Sequence, residues 1–540
     1  MPPDAYDVVI AGGGLAGLTL ARQLRVEAPA LRVFVAERRA HPVPEAAFKV
    51  GESTVEISAH YFHTRLGLAA HLRDQQLEKF GLRYFFPTPD NRAIDERFEL
   101  GPPDFPPVPS FQVDRGRLEN LLLATARASG VEVDDATRVT RVDLGRPHRV
   151  ELAGASGGRT IEARWLVDAS GRHGLLRRQL GLDKPVGHGA SASWFRVPSR
   201  VKIDDWSSCA AWRDRVTAGN RWLSTNHLMG RGYWVWLIPL GSGSTSIGIV
   251  ADEAHHPFGR ISRFDRAVEW LREFEPQCAS VAESHAGHLE DFLALRHFAH
   301  GCRQVYSRDR WALVGEAGPF TDPFYSPGSD FIAIGNDFTA DLIRRDLSGE
   351  DVGARAAGFN DFYLRLFDAF LRVYEGQYSI MGNAQVMTCK VAWDNACYWS
   401  IPALLFYQQR LREPAFMASI DDLLRRFFVL HARMQQFLHA WHLSDDRLYG
   451  SGFTSVVALD QLRHLQAALA GAREEDETLR DRMAKNLGWL ERFAGAIQSL
   501  ARDGGGAAPA LERILPLDER ARRAPVDVEP LRVRALAGAT

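Results

Sequence analysis

Several features that mark other classes of protein are scarce in this chain. The 540 residues carry a net charge of −2, which disfavours an extended basic face for nucleic acid or an anionic membrane. No apolar run is long enough to cross a bilayer, and the chain enters its first strand pattern without the segments of a secretion signal. We therefore expect a cytoplasmic protein that has no nucleic-acid partner and no membrane span.

Cysteine and lysine are also rare, and each shortage is informative. The cysteines are odd in number and lack CxxC spacing, which argues against a disulfide framework and indicates free thiols in a reducing compartment. They are Cys209, Cys278, Cys302, Cys389 and Cys397. Lysine supplies only six of the 65 basic residues, so each lysine is a candidate for a specific role. We predict no metal site.

The N-terminal segment has the pattern of a dinucleotide-binding unit. An apolar run over 6–11 predicts a buried parallel strand, and a glycine-rich turn then leads into a helical pattern. A second strand pattern, 32–36, ends at an acid that can hold ribose hydroxyls, about 20 residues beyond the turn. The glycines let backbone N–H groups approach a pyrophosphate at the helix N-terminus. The residues predicted to contact the dinucleotide are Gly12, Gly14, Leu15, Ala16, Gly17 and Glu37.

Three further segments complete this frame. One apolar strand pattern ends in Asp168, and another ends in Gly315 and Glu316, where an acid can bind a ribityl hydroxyl. Arg115 places a basic group at the start of an amphipathic helical pattern. We predict that these four residues also contact the cofactor.

Taken together, these segments resemble the glutathione-reductase-2 type of FAD-binding fold. That fold is shared by p-hydroxybenzoate-hydroxylase-like monooxygenases and by flavin-dependent halogenases. The resemblance extends from about residue 6 to about residue 345, and Glu316 departs from it because the family usually has Asp there. It implies an α/β protein whose FAD-binding domain covers 1–200 and 300–345, with 50–110 partly on the substrate side.

The remaining chain divides into three predicted parts. Residues 201–300 alternate apolar and polar positions, which predicts a half-buried antiparallel sheet on the substrate side. From 346 to 500, aromatic residues recur at three- and four-residue spacing, which predicts a helical C-terminal region. Residues 501–540 form a charged segment that we expect to be a partly flexible tail.

Two tryptophans stand two residues apart in an apolar run. Because strand side chains alternate, Trp234 and Trp236 should lie on one face of a strand that ends at Pro239. The pattern Trp-x-Trp-x-Ile-Pro resembles the signature that distinguishes flavin-dependent halogenases, in the tryptophan-halogenase-like family, from related monooxygenases. The resemblance implies that these residues border a channel between flavin and substrate. Simple packing within the strand is the alternative.

A second pattern, Phe-x-x-Pro-x-x-Ser-x-Gly, follows at once on the strand that ends in Gly315. It contains Pro323, Ser326 and Gly328, and it resembles the halogenase loop that passes the flavin and binds a halide through backbone amides. The resemblance implies a cofactor contact at Pro323, a catalytic role for Ser326, and halide binding by Gly328 and Ser329. Amide N–H groups can hold an anion without a metal. The adjacent Pro327 has no N–H to offer, so a loop without a halide site is the alternative.

A third resemblance concerns the segment that straps over FAD in halogenases and the position of their active-site lysine. The Gly-Glu-Ser strap corresponds here to Glu52 and Ser53, and the active-site lysine corresponds to Lys79. A buried ammonium could orient hypohalous acid, or its neutral amine could form a haloamine. The alternatives are a surface lysine paired with Glu78 or Asp74, and Lys49 as the reactive lysine.

The resemblance implies a two-component halogenase. Reduced FAD would react with O2 to form a C4a-hydroperoxide, which would oxidise chloride or bromide to hypohalous acid. A separate flavin reductase would supply the electrons, since only one dinucleotide-binding pattern is present. Tyr325 occupies the position of the Glu that tryptophan halogenases use as a base, which disfavours free tryptophan and leaves a phenol, a pyrrole or a similar ring, free or tethered to a carrier protein. The candidate bases are Glu52, His227 and Asp330, and the sequence does not rank them.

Two other functions are compatible with these residues. One is a monooxygenase that hydroxylates or epoxidises with the same flavin hydroperoxide. The other is a non-catalytic flavoprotein that serves as an accessory protein in a biosynthetic complex. The substrate, the halide and the oligomeric state are left open by the sequence.

Overall fold

The computed structural model describes residues 4–46, 49–154, 157–216, 219–445 and 447–502. The predicted tail therefore lies, from residue 503, outside the described residues. The strands of the first half are β1 Ala5–Ala11, β2 Val33–Ala36, β3 Leu77–Glu78, β4 Leu82–Phe85, β5 Phe98–Leu100, β6 Phe111–Gln112, β7 Glu132–Asp134, β8 Arg138–Asp143, β9 His148–Gly154 and β10 Gly157–Asp168. The later strands are β11 Asp183–Lys184, β12 Ala190–Val197, β13 Thr225–Gly230, β14 Tyr233–Pro239, β15 Thr245–Asp252, β16 Asp291–Leu295, β17 Gly301–Cys302, β18 Trp311–Leu313 and β19 Gly452–Thr454.

Helices lie between and after these strands. The helices of the first 350 residues are α1 Leu15–Glu27, α2 Glu56–His60, α3 Ala69–Gln75, α4 Arg115–Ala128, α5 Leu175–Gln179, α6 Ala210–Arg213, α7 Phe264–Phe274, α8 Pro276–Ser284 and α9 Gly328–Leu347. The later helices are α10 Gly353–Arg372, α11 Ala384–Ser400, α12 Pro402–Tyr407, α13 Pro414–Ser419, α14 Asp421–Ser444, α15 Asp460–Ala467 and α16 Asp476–Arg502.

The first sheet carries the dinucleotide-binding frame. Its order is β7-β2-β1-β10-β9-β8, and β18 pairs in parallel with the end of β10. Five of its strands run parallel, namely β7, β2, β1, β10 and β18. Because helices cover both faces of a parallel sheet, β1 and β2 are almost continuously apolar and buried. Helix α1 packs against α4 and α9, which brings the chain after residue 300 back to this domain.

The second sheet has the order β16-β12-β15-β14-β13-β4-β5-β19. It is antiparallel except where β13 meets β4 and β19 meets β5, both of which are parallel pairings. The sheet takes strands from before residue 110, from 190–295 and from the C-terminal region, so its sequence boundaries are discontinuous.

The expectation that this sheet is half-buried was wrong. Every residue of β12, β13 and β14 is buried. Alternate side chains enter two different cores: Trp234 and Trp236 face the main core, while Val235 and Leu237 face a second core closed by α7 and α8. The two helices cover the face that the alternation of residues had assigned to solvent.

Helices α10 to α16 form the helical C-terminal region expected from the aromatic spacing, and its aromatic residues are mostly buried. None of the helices within the described residues combines the length and apolar character that crossing a bilayer requires. In the same part of the chain, no cluster of three or more His, Cys, Asp or Glu side chains could hold a metal ion.

Candidate active site

A cleft of about 1050 Å³ opens where β1, β10 and β18 end, beside the N-termini of α1 and α9. Ligands of doubly wound α/β folds bind at this edge of the sheet. Most of the residues predicted to contact the cofactor line this cleft. They are Gly12, Gly14, Leu15, Ala16, Glu37, Ser53, Arg115, Gly315, Glu316, Pro323 and Gly328.

Two residues of the predicted set, Gly17 and Asp168, do not line the cleft. A Cβ on Gly17 would lie 1.9 Å from the carbonyl oxygen of Gly12, so Gly17 lets α1 pack onto the glycine-rich turn. The carboxylate of Asp168 accepts hydrogen bonds from the backbone N–H groups of Ser170 (2.9 Å) and Leu176 (2.7 Å). Both residues therefore hold the backbone that forms the cleft wall without lining the cleft themselves.

The charged groups of the cleft suit a dinucleotide such as FAD. Glu37, at the end of β2, is held by the backbone N–H groups of Gly13 (2.7 Å) and Arg39 (2.8 Å). Arg115 donates to the carbonyl oxygen of Val50 at 2.5 Å, so it ties the strap segment to α4. Burial lowers the pKa of Arg115 to about 10. Burial also raises the pKa of Glu316, and the positive charge of Arg172, 4.0 Å away, opposes that rise. A fixed acid, a glycine-rich helix N-terminus and arginines together match the ribose and pyrophosphate of a flavin nucleotide.

The predicted halide loop forms another wall of the cleft. Gly328 and Ser329 are the first two residues of α9, and Ser326, Gly328 and Ser329 all line the cleft. Ser326 has a left-handed backbone (φ 60°), and its N–H is occupied by the carbonyl oxygen of Pro323 at 2.8 Å. The first N–H groups of a helix have no partner within the helix and favour an anion. The geometry therefore leaves the amides of Gly328 and Ser329, rather than that of Ser326, to face an anion.

Lys79 is buried, with 1 % of its surface exposed. Its Nζ donates to Ser53 Oγ at 2.8 Å and to the carbonyl oxygen of Thr54 at 2.9 Å. Lys79 is therefore not the surface lysine of the alternative interpretation. Burial lowers its pKa to about 7, an effect that the carboxyl groups of Glu56 and Asp330 oppose.

The side chain of Lys79 does not line the large cleft. It lines a second cavity of about 100 Å³, and its partner Ser53 lines the cleft, so the Ser53–Lys79 hydrogen bond joins the two spaces. The other lysine considered, Lys49, lines the cleft itself and pairs with Glu119. Burial, together with the charge of Arg115, lowers the pKa of Lys49 to about 7 as well.

A third cavity, of about 60 Å³, adjoins the second. The two share Val55, Glu56, Leu82 and Asn395 as lining residues. Five aromatic side chains line the third cavity, namely Tyr325, Phe370, Tyr374, Tyr398 and Phe427. Flat aromatic walls of this kind suit an aromatic ring.

Two of the three candidate bases line the large cleft, and the other lines the third cavity. Glu52 lines the cleft and pairs with Arg196 at 2.7 Å, and burial raises its pKa against the effect of that arginine. His227 also lines the cleft, where burial lowers its pKa to about 3, so its imidazole is neutral at physiological pH. Asp330 alone lines the third cavity, and burial raises its pKa to about 7.

Trp234 and Trp236 line the cleft, with ring centroids 5.7 Å apart. Pro239 ends β14 and is buried, but it lines none of the three cavities. Trp234 Nε1 donates to the hydroxyl of Tyr378 at 3.0 Å, and that hydroxyl donates to Asp322 Oδ2 at 2.5 Å. The tryptophan strand is thereby tied to the predicted halide loop, in which Asp322 lies.

The sequence predictions missed several residues of this site. Tyr378 and Asp394 carry no local signal, because each is one polar residue within a helical and aromatic region. Asp394 accepts a hydrogen bond from the Tyr325 hydroxyl at 3.0 Å. Glu56 could have been noticed, since it follows the strap segment directly.

Comparison with known proteins also indicates an FAD-binding protein. An FAD binding domain model matches residues 5–247. The flavin-dependent halogenase chlA of Dictyostelium discoideum is 27% identical over 438 residues, which cover 73% of this chain and 70% of that protein. A 1H-pyrrole-2-carbonyl-[peptidyl-carrier protein] chlorinase of Pseudomonas fluorescens is 28% identical over 353 residues, which cover 61% of this chain and 73% of that protein.

Solved structures share the fold. Halogenase PltM in complex with phloroglucinol and FAD superposes with a TM-score of 0.62 at 16% identity, over 95% of this chain and 99% of that chain. The flavin-dependent halogenase CmlS gives a TM-score of 0.55 at 20% identity, over 96% of this chain and 76% of that chain. The matched FAD binding domain identifies FAD as the cofactor, and the solved structures show that the fold is shared.

Proposed function

The chain is a flavoenzyme related to the flavin-dependent halogenases, and from that relationship we propose that it halogenates an electron-rich aromatic substrate with reduced FAD, O2 and chloride or bromide. The observation that carries the proposal is the position of Lys79. It is buried between the large cleft and the second cavity, and it hydrogen-bonds to Ser53 on the cleft wall. A hydroxylase that transfers oxygen directly from flavin to substrate has no need of an amine at this point.

The residues of the chain would act in sequence from the cleft to the ring. The amides of Gly328 and Ser329 would hold the halide at the N-terminus of α9, beside the flavin. Reduced FAD, when bound, supplies the electrons that activate O2 and so allow the halide to be oxidised. The tryptophan wall and the strap would keep bulk water from the oxidant.

Lys79 would orient the oxidised halogen towards the ring. An ammonium has three donor positions, and two of them are used by Ser53 Oγ and the carbonyl oxygen of Thr54. The third is available for the oxygen of hypohalous acid. A carbon–halogen bond then forms as the ring loses a proton, with hydroxide leaving from the halogen and combining with a proton to give water.

The substrate would be a phenol, a pyrrole or a similar ring, free or carried on a protein. Tyr325 stands where tryptophan halogenases have a Glu, and its hydroxyl donates to Asp394 at 3.0 Å. The relatives include the pyrrole-carrier chlorinase and a tetracycline 7-halogenase, both named for activated rings. Electrons would come from a separate flavin reductase.

The test is turnover of the FAD-loaded protein with a chemical or enzymatic source of reduced FAD. We expect a phenolic probe to gain bromine in bromide buffer and to remain unchanged in halide-free buffer, as measured by mass spectrometry. Halide-independent gain of oxygen would instead identify a monooxygenase. If bound reduced FAD is reoxidised no differently from free reduced FAD, with no product, the chain is a non-catalytic flavoprotein.

A further inference from the structure

Glu56 is a buried carboxylate, 7 % exposed, that no ion pair within the described residues neutralises. It is the first residue of α2, directly after the strap. Its Oε1 accepts hydrogen bonds from Trp399 Nε1 at 2.9 Å and from Gln466 Nε2 at 2.6 Å. Buried carboxylates are normally paired with a cation because their desolvation is costly, so a carboxylate held only by neutral donors calls for a functional reason.

The position of Glu56 supplies that reason. It lines both small cavities, with Lys79 in the wall of one and Asp330 in the wall of the other. Trp399 and Gln466 hold Oε1 from α11 and α15, and no described residue donates a hydrogen bond to Oε2. A hydrogen-bond acceptor is thus fixed beside the space where a ring would meet Lys79.

The charges around the two cavities disfavour a negatively charged ligand. The buried carboxyl groups are Glu56, Asp330 and Asp394, whereas Lys79 is the buried cation of these walls. Asp394 forms an ion pair with Lys390 at 3.0 Å, and Lys390 does not line the third cavity. Burial lowers the pKa of His431 to about 4, so its imidazole is neutral at physiological pH. Asp104 and Arg463, also on the wall of the second cavity, are exposed and opposite in charge.

The size of the space limits the ligand further. The cavities measure about 60 and about 100 Å³, and an apolar cavity of about 150 Å³ is known to hold one benzene ring. Each cavity is smaller than that, so the ligand is limited to a single ring that spans both, with aromatic walls at one end and Glu56 in the middle.

We propose that Glu56 is the substrate-recognition residue, and that its carboxylate accepts a hydrogen bond from a hydroxyl of an uncharged, single-ring phenol. A carboxylate acceptor also raises the electron density of a phenol, which aids attack by an electrophilic halogen. The inference rests on the proposed function for its setting, but it concerns binding and can be measured without turnover.

Three small probes separate the elements of this recognition. Resorcinol carries two hydroxyls, 1,3-dimethoxybenzene has the same ring with both donors removed, and 3,5-dihydroxybenzoate adds a negative charge. We expect calorimetric titration of the oxidised, FAD-loaded protein to give the tightest binding for resorcinol. Each of the other two should bind at least about tenfold more weakly, since one lacks the donor and the other brings a second anion to Glu56.

The matched variants are Glu56→Gln and Glu78→Gln. The amide oxygen of Gln can still accept from Trp399 and Gln466, but the charge is lost, so we expect resorcinol affinity to fall about tenfold or more. Glu78 lies next to Lys79 in the sequence, but it is exposed, so its substitution should leave affinity unchanged. Flavin content and melting temperature confirm that each variant is folded, and the probe series on the wild-type protein tests the inference even if Glu56→Gln does not fold.

The outcomes distinguish this inference from the proposed function. Equal binding of resorcinol and its dimethyl ether, unchanged affinity in Glu56→Gln, or no binding of any probe would overturn the role of Glu56. Selective binding of resorcinol without bromination in the turnover assay would support the recognition site while counting against the halogenase function. Bromination of the dimethyl ether as fast as resorcinol would support the halogenase and reject Glu56 as its selecting residue.

Discussion

At the scale of single residues, burial changes what the lysines of this protein can do. Lys79 and Lys49 both have their pKa lowered to about 7, yet Lys79 lines the second cavity and Lys49 lines the large cleft. Lys49 is paired with Glu119, whereas Lys79 donates only to neutral oxygens among the described residues. An amine that no described carboxylate contacts directly, and that lines a cavity, remains available to a reactant.

Replacing Lys79 with Met should abolish halogenation and retain FAD binding. Met keeps a similar apolar volume but offers no donor, so we expect the halogenation rate to fall by about 100-fold or more. Reduced FAD should still be oxidised, and product analysis with a flavin titration measures both. Lys485→Met is the control, since Lys485 is 76 % exposed in its side chain. Loss of flavin from Lys79→Met alone would show that this lysine is structural.

The low pKa of Lys79 also predicts how stability depends on pH. Between about 7, its pKa in the folded state, and 10.5, the ordinary value for lysine, the unfolded chain binds the proton and the folded chain does not. The contribution of Lys79 to stability therefore rises with pH across this window, by up to about 1.4 kcal/mol per pH unit. The difference in melting temperature between wild type and Lys79→Met should move in favour of wild type from pH 7 to pH 10. A difference that does not change with pH would mean that the buried amine keeps its proton.

At the scale of elements, strand β14 positions its tryptophans through its neighbours. Gly248 on β15 pairs with Trp236, and a Cβ there would lie 2.2 Å from the indole. Gly248→Ala should therefore displace Trp236 and cost about 1–3 kcal/mol of stability. Melting temperature and tryptophan fluorescence measure the effect. Gly287→Ala is the control, because a Cβ at Gly287 meets no atom within 4 Å.

The hydroxyl of Tyr378 joins β14 to the predicted halide loop. Tyr378→Phe leaves the buried Trp234 Nε1 without its acceptor and should cost about 1–3 kcal/mol. Tyr306→Phe is the matched control, because the buried hydroxyl of Tyr306 has no hydrogen-bond partner within the described residues. If both variants melt at the wild-type temperature, the link between strand and loop contributes nothing to stability.

At the scale of the whole molecule, FAD should act as a stabilising element between the two sheets, both of which line the large cleft. A ligand at 100 times its dissociation constant adds about 2.7 kcal/mol. Gly14 lines the cleft, and a Cβ on it meets no protein atom within 4 Å. We expect Gly14→Leu to fold but to lose both FAD binding and the FAD-dependent rise in melting temperature. Gly358→Leu, at an equally open position on α10, should keep both.

The sequence by itself determined the parts of this protein that are encoded locally. The strand, glycine-rich turn, helix and acid that begin at residue 6 were predictable because a few adjacent residues set the direction of each side chain. The same holds for the two indoles on one face of β14. These local patterns were enough to indicate the FAD fold and the relationship to halogenases.

Only the tertiary structure decided what depends on packing between distant segments. The burial of both faces of the second sheet required α7 and α8, which follow the strands they cover. Glu56, Lys79, Asp330 and Trp399 become neighbours of shared cavities although they are far apart in the chain. Spacing along a chain fixes which way a side chain points. Its solvation and its interaction partners follow instead from how whole elements pack. Solvation and partners together set the pKa of Lys79, and they leave Glu56 without an ion pair among the described residues.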